Sequence, residues 1–127
     1  MTSTEQHVAI YGFDKADQAA RVAELLIDGE ILYAVYDCKG RGSGFVGITD
    51  RRLIARDDGH MKHSKAIVSI PYARIHAVGV GSEYKLVGSN EGRLSVSAGD
   101  DDWIFTFKGD GKVRNAYQRI MSHLLAS

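Results

Sequence analysis

The side chains able to do chemistry are spread along the chain, so spacing decides which of them could act together. Lys39, Arg41, Arg51, Arg52 and Arg56 form the densest cluster of cations: residues 31–56 hold five basic residues and two acids, a formal +3. Such a stretch can bind an anionic ligand or an acidic partner surface through charge-assisted hydrogen bonds. Lys39, Arg41, Arg51 and Arg52 are therefore the candidate anionic-ligand or interface residues. The competing reading is solvated surface. Neighbouring residues of a strand point to opposite faces, which argues against a two-arginine clamp at Arg51 and Arg52 and favours one satisfying an acid while the other meets water.

Other constellations are incomplete. His60 and His63 sit beside Asp57 and Asp58, but no cysteine or second histidine cluster completes a metal-ligand set, and ordinary surface polarity is the expectation. Asp100, Asp101 and Asp102 precede Trp103 without the alternating ligands of a calcium loop. Gly40-Arg41-Gly42-Ser43-Gly44 lies between strands and lacks the Gly-Lys-Ser/Thr ending of a phosphate loop, so its glycines serve turns and close packing. Cys38 would be reactive only if Lys39 or Arg41 held its thiolate; an inert thiol is expected. No serine, histidine and acid stand at a spacing that suggests a triad. The reading is a noncatalytic domain with no metal and no cofactor.

The elements that must position these residues follow from periodicity. Asp14 can cap a helix over 14–28, with Ala16, Ala19, Ala20, Ala23, Leu26 and Ile27 at helical spacing and Asp28-Gly29 ending it. From Ile31 the pattern turns to alternating β-branched and aromatic residues, predicting strands near 31–37, 43–48, 52–57, 65–70, 75–86, 92–98 and 102–108. Tyr33, Tyr36, Phe45, Trp103, Phe105 and Phe107 fall where these strands pack. Pro71 stops one strand, since it cannot donate to a ladder, and Asp57 to Ser64 reads as the loosest loop. A last helix starts near Gly111 behind Asp110, with Val113, Tyr117, Ile120, Met121 and Leu124 as its apolar stripe and Arg114 and Arg119 facing water. Seven short strands without crossover helices imply an antiparallel sandwich or barrel covered by that helix.

Composition bounds the rest. The 127 residues suit one domain, read as an N-terminal extension over 1–13 and a single domain over 14–127. One cysteine excludes an internal disulfide framework and favours a cytoplasmic setting. Sixteen basic and sixteen acidic residues cancel, which removes the long-range attraction expected of a nucleic-acid binder, although residues 1–30 alone carry a formal −4. No apolar run approaches the roughly 20 residues of a membrane span, and the start resembles no secretory leader, so stable membrane insertion is not expected.

Four segments together resemble one family: "LLIDGEILYAVYD", "GFVGITDRRLIARD", "VSIPYARIHAVGV" and "WIFTFKGDGKVRNAYQRI", spanning about residues 25 to 120. In this order they are similar to the bacterial pleckstrin-homology-like domains of short cytosolic proteins. The resemblance implies a mainly β, seven-stranded antiparallel bent barrel with a C-terminal capping helix, here preceded by a short N-terminal helix. It also implies binding or assembly rather than catalysis, with some relatives forming homo-oligomers. Lipid-binding members of the wider fold continue basic residues from the first hairpin turn onto its returning strand, where this chain has Phe45, Val46, Gly47 and Ile48. The expected partners are thus another copy of the chain or another protein, with a small anionic-ligand or membrane-surface binding module, using the basic early-strand segment, as the alternative.

Overall fold

The computed structural model describes residues 12–40, 44–57, 66–83, 91–108 and 111–126. In chain order they form β1 (Gly12–Phe13), α1 (Ala16–Ala23), β2 (Leu32–Gly40), β3 (Gly44–Thr49), β4 (Arg52–Asp57), β5 (Ala66–Pro71), β6 (Ile75–Glu83), β7 (Glu91–Ala98), β8 (Asp101–Lys108) and α2 (Gly111–Ala126). The predicted strands recur within a few residues, because alternation reports directly on a half-buried pleated surface. Asp110 and the His60/His63 loop lie outside the described residues.

β2 organises the molecule by belonging to two sheets. Leu32 to Cys38 pairs with β3, whereas Lys39 and Gly40 pair with Thr106 and Phe105 of β8. The path of neighbours runs β5-β4-β3-β2-β8-β7-β6, and β1 adds in parallel beside Ala34 and Val35. Two corrections to the expected barrel follow. Among the described residues there are eight strands rather than seven, and the sheet does not close, since there β5 pairs only with β4 and β6 only with β7.

The reason lies in the corner between β5 and β6. Pro71 is in extended geometry and is followed by a single 3₁₀ turn, Tyr72–Arg74. That turn leaves β5 still laddered to Arg52 through Pro71, while β6 begins its own ladder at Ile75 opposite Ala98. Buried Tyr72 pins the corner by donating its hydroxyl to the Thr49 carbonyl at 2.7 Å. Two strands that leave a corner on different sheets share side-chain contacts and no ladder.

Two cores result. The larger lies between the sheets and under α2, where Val46, Leu53, Leu94, Trp103, Phe105 and Phe107 meet Val113, Ala116 and Ile120. The smaller lies on the outer face of β2, β3 and β4, where Leu32, Val35, Phe45 and Ile54 pack against Val22 of α1. Covered on both faces, β3 reads as an apolar run rather than an alternation. Helix α1 is shorter than the predicted 14–28, and its N-cap is Lys15, which makes no side-chain cap bond. Asp14 instead accepts the Asp37 N–H at 2.9 Å and pairs with Lys112 at 2.9 Å, stitching the start of α1 to β2 and α2.

Candidate interaction site

The predicted cations do not converge. Arg52 is committed within the chain: Nε donates to Glu30 Oε2 and Nη2 to Glu30 Oε1, each at 2.8 Å, forming a bidentate fork. Nη1 reaches Ser69 Oγ at 2.8 Å and Nη2 also reaches the Leu25 carbonyl at 2.7 Å. Glu30 is 1% exposed and takes two further donors, the Thr49 hydroxyl at 2.7 Å and the Ile27 N–H at 3.1 Å. Burial opposes its ionisation, but the Arg52 fork and the other two hydrogen bonds outweigh it and bring its pKa down to about 2. Arg52 is thus a clasp joining the segment after α1 to the β3–β4 turn and to β5.

Arg51 points elsewhere. Its side chain is 50% exposed and its Nε stands 3.8 Å from the Asp50 carboxylate. Lys39 is exposed too, and its Nζ pairs with Glu91 at 2.6 Å. Lys39 lies at the β2–β3 end of β3 and Arg51 at the β3–β4 end, so the six residues of β3 hold them about 17 Å apart. Arg41 lies outside the described residues. Cys38 is buried between these elements, and desolvation together with the nearby Asp37 and Asp14 carboxylates pushes its thiol pKa up, away from a reactive thiolate. Among the described residues no group of three or more His, Cys, Asp or Glu side chains could hold a metal ion. Asp102 accepts the Ser97 hydroxyl at 2.8 Å instead.

The surface that stands out is the open seam. Among the described residues β6 is paired on one edge only, by β7 over Ile75 to Glu83. Register places Val80 opposite Leu94, itself opposite Phe105, so Val80 shares the core-side face of these two fully buried residues. Yet Val80 is 54% exposed, and no strand among the described residues covers it from the β5 side. From Ile75 to Ser82 the strand carries no Lys, Arg, Asp, Glu or Pro, the residues by which natural edges usually discourage pairing. Opposite, Val68, Ile70 and Pro71 line a shallow cavity of about 220 Å³ with Arg74 and Trp103. Sequence reasoning passed over this edge; its one signal was the charge-free run between Arg74 and Glu83.

A sheet that stays open between β5 and β6 among the described residues, with a C-terminal helix packed on it, is now placed by similarity: a family model described as Bacterial PH domain matches residues 25–121. The chain belongs to the bacterial pleckstrin-homology domain family. β1 and α1 precede the matched segment. A crystal structure of a pleckstrin-homology domain from Shewanella amazonensis SB2B is similar with a TM-score of 0.59 at 24% identity, covering 88% of this chain and 99% of that one. A DUF1696 family protein with a pleckstrin-homology domain from Shewanella loihica PV-4 is similar with a TM-score of 0.52 at 18% identity, covering 87% and 93%. No curated protein matches. The two structural likenesses speak for the fold alone. Members of the pleckstrin-homology family are generally noncatalytic, which directs attention to surfaces rather than clefts. No helix among the described residues is long and apolar enough to cross a membrane.

Proposed function

We propose that this pleckstrin-homology domain is a self-assembly module whose copies join along the outer edge of β6. The observation that carries the reading is Val80, half-exposed on the core-side face of a nine-residue strand that is paired on one edge only among the described residues. A second strand laid there gains main-chain hydrogen bonds and covers Val80, and closed symmetry then leaves no edge for further growth. The alternative, an anionic ligand held by Lys39, Arg41, Arg51 and Arg52, gains little support: Arg52 and Lys39 are paired with Glu30 and Glu91, and Arg51 stands at the far end of β3.

Light scattering of the full chain across the micromolar range tests the proposal. A mass above that of one chain, reduced to one chain by Val80→Lys with the circular dichroism spectrum unchanged, is the expected result. A two-chain mass indicates β6 against β6, and a larger closed mass indicates β6 against β5 of the next copy. A single-chain mass at every concentration overturns the proposal.

A further inference from the structure

The end of α2 is a feature separate from the β6 edge. Val113, Ala116 and Ile120 bury the body of the helix in the larger core. Its last turn has fewer anchors: Leu125 and Ala126 are exposed, which leaves His123 and Leu124 to seat it. Leu124 packs against the larger core. His123 stacks on Tyr72 with ring centres 5.0 Å apart and planes 14° from parallel, and it meets Tyr33 at 5.5 Å. Because Tyr72 is itself tied to the Thr49 carbonyl, this imidazole fastens the helix end to the turn that follows Pro71.

The contact suits a neutral ring. Nε2 of His123 is buried and meets no hydrogen-bond partner among the described residues. A protonated imidazole donates from both nitrogens, so Nε2 would then present a charged N–H where no acceptor waits. The groups around the ring oppose that proton on balance. From α2 itself, Arg119 brings a guanidinium one turn away; its central carbon crosses a half-open groove of about 270 Å³ between α2 and β2 to lie 4.2 Å from the centre of the Tyr33 ring. From the β3–β4 turn Asp50 favours the proton, but its carboxylate already accepts the Ile31 N–H at 2.8 Å and stands 3.8 Å from Arg51 Nε. From the corner, the Tyr72 phenol stays protonated because burial pushes its pKa up, and from β2 Tyr33 offers its ring. The C-terminal end of a helix also favours a cation. Desolvation, followed by Arg119, outweighs these attractions and sets the His123 pKa below the ordinary histidine value.

We infer that His123 is an acid-sensitive latch: the neutral ring holds the last turn of α2 on the β5–β6 corner, and protonation releases that turn while the body of the helix stays seated. A ring that binds its proton less readily when docked than when free stabilises the docked state fully above histidine's ordinary 6.5, and that contribution is lost as the pH falls through the lower value of the docked ring. Release bares Tyr72 and the core surface under Leu124. Neither His123 nor Tyr72 belongs to a ladder, so both sheets stay paired.

Carbon-labelled histidine spectra and hydrogen exchange of the full chain between about pH 7.5 and about pH 5 test the inference, over a range that stops above the Glu30 window. The His123 ring should titrate with a midpoint below histidine's ordinary 6.5. Over the same range, after correction for the intrinsic pH dependence of exchange, the amides of residues 122–126 should lose protection while those of 113–120 and of the strands keep theirs. His123→Phe, which keeps a stacking ring and has no proton to bind, should hold the last turn as firmly in mild acid as at neutral pH. The inference is overturned by a midpoint at or above the ordinary value, by protection that does not change in the wild-type chain, by a loss that the strands share, or by a loss that persists in His123→Phe.

Discussion

At the scale of single residues, the decisive contact joins Glu30 to Arg52 across 22 positions of sequence. Removing one partner of a buried ion pair leaves the other desolvated and uncompensated, so Glu30→Gln should cost about 3 kcal/mol in urea unfolding. The same carboxylate links stability to pH. Its pKa falls from an ordinary 4.5 to about 2 on folding, so its contribution is fully present above pH 4.5 and drains away as the pH falls toward 2. The wild-type chain should lose stability across that window faster than Glu30→Gln does, and parallel acid profiles would contradict the clasp. Cys38 supplies a second test. Because burial and the neighbouring carboxylates disfavour its thiolate, alkylation at neutral pH should be slow in the folded chain, accelerate on unfolding, and ignore Lys39→Gln. Residue types named the participants here, but not the pairings. That Arg52 rather than Arg51 reaches inward follows from which face of β4 meets the segment after α1, and that is a tertiary fact. The separation of Lys39 from Arg51 was legible earlier, since the two bracket a single predicted strand.

Among the elements, β3 and α1 show how a sheet face becomes covered. A Cβ at Gly47 would stand 2.9 Å from Val22 Cγ1, so glycine permits the close approach of α1 to the strand. Gly47→Ala should therefore overpack this contact and lower stability by about 1–3 kcal/mol, and adding Val22→Ala should recover part of that loss. Equal costs with and without the second substitution would refute the contact as the cause. The strand positions were readable because β-branched and aromatic residues alternate between turn residues. The length of α1 was not: of the residues at helical spacing, Ala19 packs against the outer core and Leu26 still reaches it from the irregular segment leading to Glu30, whereas Ile27 in that segment is exposed, and Val22, outside the predicted set, is the residue most buried there. Likewise Arg119, read as facing water, covers Tyr33, because α2 lies alongside β2 rather than standing clear of it.

For the whole molecule, the open seam carries the functional proposal and a further expectation. Association along β6 rests on main-chain hydrogen bonds and apolar cover, with net charge near zero, so raising ionic strength should change its affinity by less than about tenfold. A steep loss of assembly with salt would point instead to Lys39, Arg51 or another charged surface. By itself, the sequence determined the order of the two helices and of the strands from β2 onward, the apolar stripe of α2 and the family, because these depend on local periodicity and on motif order, whereas the two-residue β1 is too short to show a period. Only the tertiary structure decided that the sheet stays open, that Arg52 serves Glu30, and that a groove forms between β2 and α2. Each of those depends on which distant faces meet, and a change of direction within the three residues after Pro71 settles it for the seam.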